Sequence, residues 1–292
     1  MKKWSNEELE ILILNYEKSG IRYCAEILGR TNRSVQKKAS TLNLKVSNDT
    51  ILLLRKTTVK KSWINRNDSL NNLKKILNVP IENIKDSPNF LYVLGYIWGD
   101  GHIHNGGISN VNSVSLEIIK EDGLDIYDKM NSVINWNISY RKRNKRKEQI
   151  CFTINNRIFI EYLVSLNFNK KSYDYPFFID DISYEMKRYF YLGLSDADGC
   201  FYSNNKLYCY QYSISSTIDQ NWKHMIDILE HLDIKYNIKK VENIKKDGNI
   251  NRHSVVVISN KSDVIKYGDY LYGADFIGLN RKYNKYLQIK SV

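Results

Sequence analysis

Leu9, Leu12, Ile13 and Tyr16 fall at i, i+3, i+4 and i+7, the spacing of one helix face, and predict a helix starting near Asn6. Ser5 with Glu8 fits a capping box, in which the serine oxygen takes the N3 amide and the glutamate reaches back to the cap amide. Gly20 is placed to stop that helix in a left-handed conformation. Ile21, Ala25 and Leu28 repeat the period as far as Gly29, and Thr31 can cap a third helix with Val35, Ala39 and Leu42 inside. Asn32, Arg33, Gln36, Lys37 and Ser40 are then left together on its outer face. Residues 46–88 keep no single period and read as a basic linker with one or two small helices, carrying Arg55, Lys56, Lys60, Lys61 and Arg66.

Beyond the linker one pattern occurs twice. FLYVLGYIWGDGHI begins at Phe90 and RYFYLGLSDADGCF at Arg188, and matching Gly95 to Gly193 and Asp100 to Asp198 gives one constant offset of 98 residues. Each copy continues as a strand-like stretch, a helix, a charged hairpin with a second strand, and a closing helix: 102–119, 121–134, 138–155 and 157–166 in the first, 200–217, 219–232, 235–259 and 261–272 in the second. Related turns follow at 168–176 and 279–287, pairing Lys171 with Lys282. The predicted fold is mixed α/β: two α/β halves, 89–183 and 184–292, behind a three-helix module at 1–45 and the linker at 46–88.

Charge narrows the choice of partner. The net charge of +12 suits a polyanion, and residues 1–89 hold 17 basic against 9 acidic residues, so that the first third carries +8 of it. Acidic residues stand where a signal peptide needs its apolar stretch, and no apolar run approaches a membrane span, so the chain is expected to be soluble and intracellular, in a cytoplasm or an organelle. Cys24, Cys151, Cys200 and Cys209 lack zinc-site spacing and read as buried thiols.

WSNEEL at 4–9 and LGRTNRSVQKKASTLNL at 28–44 resemble a Myb-like or helix-turn-helix module. That resemblance implies that Asn32, Arg33, Gln36 and Lys37 face double-stranded DNA, with Arg suited to guanine, Asn and Gln to adenine, and Lys to phosphate. VLGYIWGDG at 93–101 and YLGLSDADG at 191–199 resemble the paired motifs of single-chain LAGLIDADG homing endonucleases, with Trp98 in place of the first motif's earlier aspartate. The resemblance implies a duplicated αββαββα domain that acts as a monomer and cuts both strands of a long asymmetric site with Mg²⁺, for which Mn²⁺ substitutes. It further implies short 3′ overhangs and a role in spreading its own coding sequence or a host intron. Asp100, Asp198, Lys171 and Lys282 take the catalytic places, and the metal set is Asp100 and Asp198 with Gly99 and Ala197.

The same residues support the chemistry independently. Gly95 with Gly99, and Gly193 with Ala197, lie four apart on one helix face, where small side chains let two backbones approach. Gly101 and Gly199 are expected to end both helices at C′, putting Asp100 and Asp198 in the last turns against the negative end of the dipole and against each other. A divalent cation with hard oxygen ligands offsets both penalties and suits in-line phosphodiester hydrolysis. Asp196 takes a structural or capping role, and Glu117 is either near the metals or a solvated strand carboxylate.

For the DNA-facing strand, alternation leaves two parities open: Lys206, Tyr208, Tyr210, Tyr212 and Ile214, or Leu207, Cys209, Gln211 and Ser213; Tyr210 and Tyr212 are the candidate base readers. Arg141, Lys142, Arg143, Lys145, Arg146 and Lys147 form a basic run suited to phosphates at a hairpin tip. Two other functions fit the same pattern: an RNA maturase that assists intron splicing, and a DNA-binding regulator of this fold without catalysis.

Overall fold

The computed structural model describes residues 3–51, 73, 76–79, 81–105, 112–142, 147–244, 250–273 and 277–291. The chain divides into two compact units, Met1–Asn67 and Asp68–Val292.

In the first unit α1 (Asn6–Ile27) opens on the capping box: Glu8 N–H donates to Ser5 Oγ at 3.2 Å and Ser5 N–H to Glu8 Oε2 at 2.9 Å. It breaks at Gly20, whose φ of 73° lies in the left-handed region that glycine tolerates. Thr31 caps α2 (Asn32–Thr41) through Ser34 N–H. Leu12, Tyr16, Cys24, Ala25, Val35 and Ala39 form the core, with Trp4, Ile21, Leu28 and Leu42 packed on it. Ile13 differs from expectation: it is 51% exposed, because Leu12 and Tyr16 take the centre of the buried stripe and position 13 turns off its edge. Arg30 locks the entry of α1, lying 4.3 Å over the Trp4 ring and 2.8 Å from Glu8 Oε2. Asn32, Arg33, Gln36, Lys37 and Ser40 are all exposed.

The second unit is a mixed α/β fold built twice. Its first half runs α3 (Pro88–Asp100), β1 (His102–Asn105), β2 (Asn112–Ile119), α4 (Lys120–Asp125), α5 (Tyr127–Val133), β3 (Asn137–Arg141), β4 (Gln149–Ile154) and α6 (Arg157–Ser165). Its second half runs α7 (Tyr184–Asp198), β5 (Gly199–Asn204), β6 (Cys209–Thr217), α8 (Lys223–His231), β7 (Asn237–Ile244), β8 (Ile250–Ile258) and α9 (Lys261–Tyr272), followed by α10 (Asn280–Lys290). Both sheets are antiparallel, in the orders β1-β2-β4-β3 and β5-β6-β8-β7. The duplication extends to register: Ile103 pairs with Val114 and Phe201 with Tyr212, each at the 98-residue offset.

Each sheet buries one face. Val114, Leu116 and Ile118 on β2 and Tyr210, Tyr212 and Ile214 on β6 are buried, while their alternates, apart from the buried Ser113, are more open. Ser87 and Ser183 cap α3 and α7, the two helices on which the core is centred. Phe90 to Trp98 are buried without a break, so α3 has no solvent stripe and is hydrophobic all round. Two of the four thiols depart from expectation: Cys24 and Cys151 are buried, but Cys200 and Cys209 are exposed on the open face of the second sheet. The described residues of 76–79 are tied to the first half, with Leu77 bridged to Ile134 and Asn78 N–H donating to Val133 O at 2.9 Å.

Candidate active site

The two motif helices meet backbone to backbone. A Cβ on Gly95 would stand 1.9 Å from Phe190 O, and one on Gly193 2.0 Å from Tyr92 O, so glycine is required at both crossings. A Cβ on Gly99 would lie 2.4 Å from that of Ala197 and 3.0 Å from Asp198 Oδ2. The carboxylate closing one helix is thereby held against the last turn of the other. Gly101 and Gly199 end their helices, and both are extended, at φ −67° and −79°. Glycine is needed there for room, since a Cβ would sit 2.4 Å from Ile97 O in one copy and 2.7 Å from Ser195 O in the other.

Four charged groups converge at these helix ends. Asp100 and Asp198 keep an exposed edge, yet the protein packed around them withdraws water from one side, and this raises the Asp100 carboxyl above its ordinary range, against the pull of Lys171 and Lys282. Burial and then the neighbouring Asp100 push Asp198 up to about 6, again against both lysines. Burial brings Lys171 down to about 8, opposed by Asp198 and Asp100, and also lowers Lys282. Two raised carboxylates, Asp198 in part by the charge of Asp100, at the negative ends of two helices, form a site that favours a further positive charge.

The lysines are not equivalent. Lys282 is buried, and its ammonium donates to Ser195 O, Asp196 O and Gly199 O, each at 2.7 Å, which uses all three donors. Lys171 donates to Gly99 O and, at 3.4 Å, to Ile97 O, which leaves one donor. Both lysines therefore close the carbonyl end of their own motif helix, and Lys171 keeps a hydrogen for a further partner.

Each lysine is positioned by the opposite half. Gln220 Nε2 donates to Asp174 O at 2.8 Å, and Thr217 Oγ1 donates to Ser172 O, holding the Lys171 turn from the second half. Asp122, at the position matching Gln220, accepts Arg281 Nε at 2.7 Å, and Asp125 accepts Asn280 N–H at 2.6 Å, holding α10 from the first half. Asp196 adds a link its counterpart cannot make. It is buried, accepts Leu279 N–H at 2.7 Å and Tyr92 OH at 2.9 Å, and is pushed up to about 6 by its burial. Trp98 instead sets its ring edge-on to Phe168 at 5.0 Å.

The surface residues expected from the sequence divide into three groups. Tyr210 and Tyr212 are corrected: they are 7% and 0% exposed, on the core face, and Tyr212 OH shares a 2.7 Å hydrogen bond with Ser195 Oγ behind the motif helix. The opposite parity, with Cys209, Gln211, Ser213 and Ser215, lies on the more open face of β6. Arg141, Lys142 and Lys147 are exposed, and Arg141 pairs with Glu117 on the open face of the first sheet. Arg143, Lys145 and Arg146 lie outside the described residues, as do Arg55, Lys56, Lys60, Lys61 and Arg66.

A residue that no motif pointed to lies just behind this centre. His224 is 2% exposed and stacked between Tyr175 and Tyr191 at 6.2 and 6.0 Å; the Asn221 backbone lies near enough to its ring to favour the charged form, but neither ring nitrogen has a partner at full hydrogen-bond geometry. Burial brings its pKa down to about 4, against Asp227 and Asp180 and with the help of Lys223. An unfolded chain protonates this imidazole near 6.5 while the folded chain does not until about 4. Its contribution to stability is therefore complete above pH 6.5 and lost as pH falls toward 4, amounting to about 3 kcal/mol. Urea titrations at the two ends of that window are expected to show a smaller acid-side loss for His224→Gln than for the wild type.

Among the described residues, no group of three or more His, Cys, Asp or Glu side chains could hold a metal, and no helix is long and apolar enough to cross a membrane. The chain matches no protein-family model and no curated relative. Among solved structures it is similar to I-SmaMI bound to uncleaved DNA target in the presence of calcium ions, at 12% identity over 70% of this chain and 90% of that one, with a TM-score of 0.44. It is similar to the homing endonuclease I-WcaI bound to its DNA recognition sequence, at 14% identity over 68% and 85% of the two chains, with a TM-score of 0.43. It is also similar to full-length DUF199/WhiA from Thermatoga maritima, at 14% identity over 73% and 62%, with a TM-score of 0.41.

Proposed function

We propose that this chain is a divalent-metal-dependent endodeoxyribonuclease that makes a double-strand break in a long, asymmetric DNA site. The observation that carries the reading is the pair Asp100 and Asp198, both open to solvent, at the touching ends of two close-packed helices. The donor set is two carboxylates with the backbone oxygens of Gly99 and Ala197 at the same ends. It fits Mg²⁺, which prefers oxygen and keeps several waters rather than demanding a full protein cage. A cation bound there supplies positive charge to the phosphate and to the leaving oxygen.

The chain's own groups do the rest by position. Lys171, with one donor unspent, is placed to hydrogen-bond a phosphate oxygen as negative charge develops, and stays largely protonated at neutral pH because its pKa falls only to about 8. Lys282 acts through its charge and by fixing the end of α7, since its donors are already used. The exposed alternation on the two sheets offers side chains to base edges, and Arg141, Lys142 and Lys147 suit phosphates. Both carboxylates come from one chain, so the active species is a monomer. Incubating a random duplex library with the protein in Mg²⁺ and sequencing the cut ends tests the reading; no cut sequence in Mg²⁺ or Mn²⁺, or equal cutting in chelator, would overturn it.

The first unit extends the contact with DNA through Asn32, Arg33, Gln36 and Lys37 without entering the chemistry. A fragment spanning Asp68–Val292 is expected to cut the same site at higher protein concentration, with a shorter footprint. Its salt dependence should be shallower, since each lost phosphate contact removes roughly 0.9 from the slope of log K against log salt. Footprinting and a salt titration of both proteins check this, and equal slopes would count against it.

A further inference from the structure

A cavity of ≈ 90 Å³ lies between the catalytic centre and His224. Lys171 and Asp198 line it, as do Ser215, Gln220, Trp222 and His224. A water needs only about 10–15 Å³ of such space, so several fit. The walls are polar enough to hold them. His224 carries two buried ring nitrogens without a well-formed partner, and the Asn221 backbone can serve only one of them, so the other is costly unless water fills the space beside it. Gln220 is fixed by Ser216 Oγ at 2.7 Å and by its own bond to Asp174 O, and keeps acceptor capacity on Oε1. Lys171 retains one donor.

The other half has no such arrangement. At the 98-residue offset His224 becomes Ile126, Trp222 becomes Leu124, Ser216 becomes Ile118 and Ser215 becomes Glu117, which pairs with Arg141. Ile126 is fully buried, and Lys282 has no donor left. Two independent features, the imidazole without a well-formed partner and the unspent lysine donor, thus fall on one side of the pseudo-twofold axis.

We propose that His224 anchors a short file of ordered water that reaches the Lys171–Asp198 side of the centre alone. His224 is a positioning residue: it holds water in line with one scissile phosphate and does not touch the substrate. Cutting of one strand then depends on His224 and cutting of the other does not. The strand-specific part rests on the nuclease reading above, whereas the water file does not.

Two measurements on the full chain test it. A crystal structure of the protein is expected to show at least two ordered waters in the cavity, one within about 3.2 Å of a His224 nitrogen. A dry cavity, or protein partners on both nitrogens, would overturn the proposal whether or not the protein cuts DNA. The second measurement follows a library-selected duplex carrying a different label on each strand. His224→Leu should slow one strand by about tenfold or more and leave the other within about twofold, so that nicked DNA accumulates. His224→Gln, which still bonds water, should restore most of the lost rate. Equal slowing of both strands, or no slowing of either, would also overturn it. If the wild type cuts nothing, the nuclease reading fails while the crystallographic result still decides the water file.

Discussion

Asp100→Asn and Asp198→Asn are each expected to lower double-strand cleavage by about 10³-fold or more while duplex affinity stays within a few-fold. The substitution keeps shape and removes charge, so what it deletes is attraction for a cation rather than contact with DNA. It also removes a repulsion already present. Asp100 is one of the charges that push Asp198 up to about 6, and each aspartate opposes the dipole of its own helix. Neither variant is therefore expected to be less stable than the wild type, and the melting temperature separates lost chemistry from lost fold. A plasmid assay in Mg²⁺ reads the first quantity and gel shift in Ca²⁺ reads affinity. Full cleavage by either variant would remove that aspartate from the catalytic centre.

Much of this site was legible because the chain states it twice. One offset of 98 residues fixed the motif helices, and the same offset reappears in strand pairing, Ile103 with Val114 and Phe201 with Tyr212. The parity of β6 was harder to read, since tyrosines on one face and polar residues on the other both resemble a base-reading ribbon. A signal was nevertheless present in the duplication. Val114 and Leu116 are the counterparts of Tyr212 and Ile214, and the apolar alternation of β2 assigns Tyr212 to the core by sequence pattern alone. The lysines show a different limit. Their positions follow from the related turns, but whether an ammonium has a donor to spare depends on which carbonyls lie within reach. His224 left no trace in the sequence, because a single histidine in a helix means nothing until the cavity beside it is known.

The largest effect on the fold is expected at the helix crossing. Alanine ordinarily stabilises a helix by about 1 kcal/mol over glycine. At Gly95 and Gly193 the sign should reverse, because the added methyl would meet backbone oxygens at 1.9 and 2.0 Å, closer than any side-chain rotation can relieve. Relief requires α3 and α7 to separate, which opens the core along both helices, so each variant is expected to lose about 3 kcal/mol or more. The same separation draws Asp100 away from Asp198, and cleavage should fall with stability in one step. Position 99 offers a sharper version of the argument. Only one methyl fits between residues 99 and 197, so Gly99→Ala should destabilise alone and be largely rescued by Ala197→Gly, with Asp198 shifting slightly to clear the new group. A double-mutant cycle in urea measures the coupling, expected at about 1–3 kcal/mol. Additive effects at 99 and 197, or an alanine at Gly193 that leaves stability unchanged, would mean that the helices do not cross as closely as their glycines require.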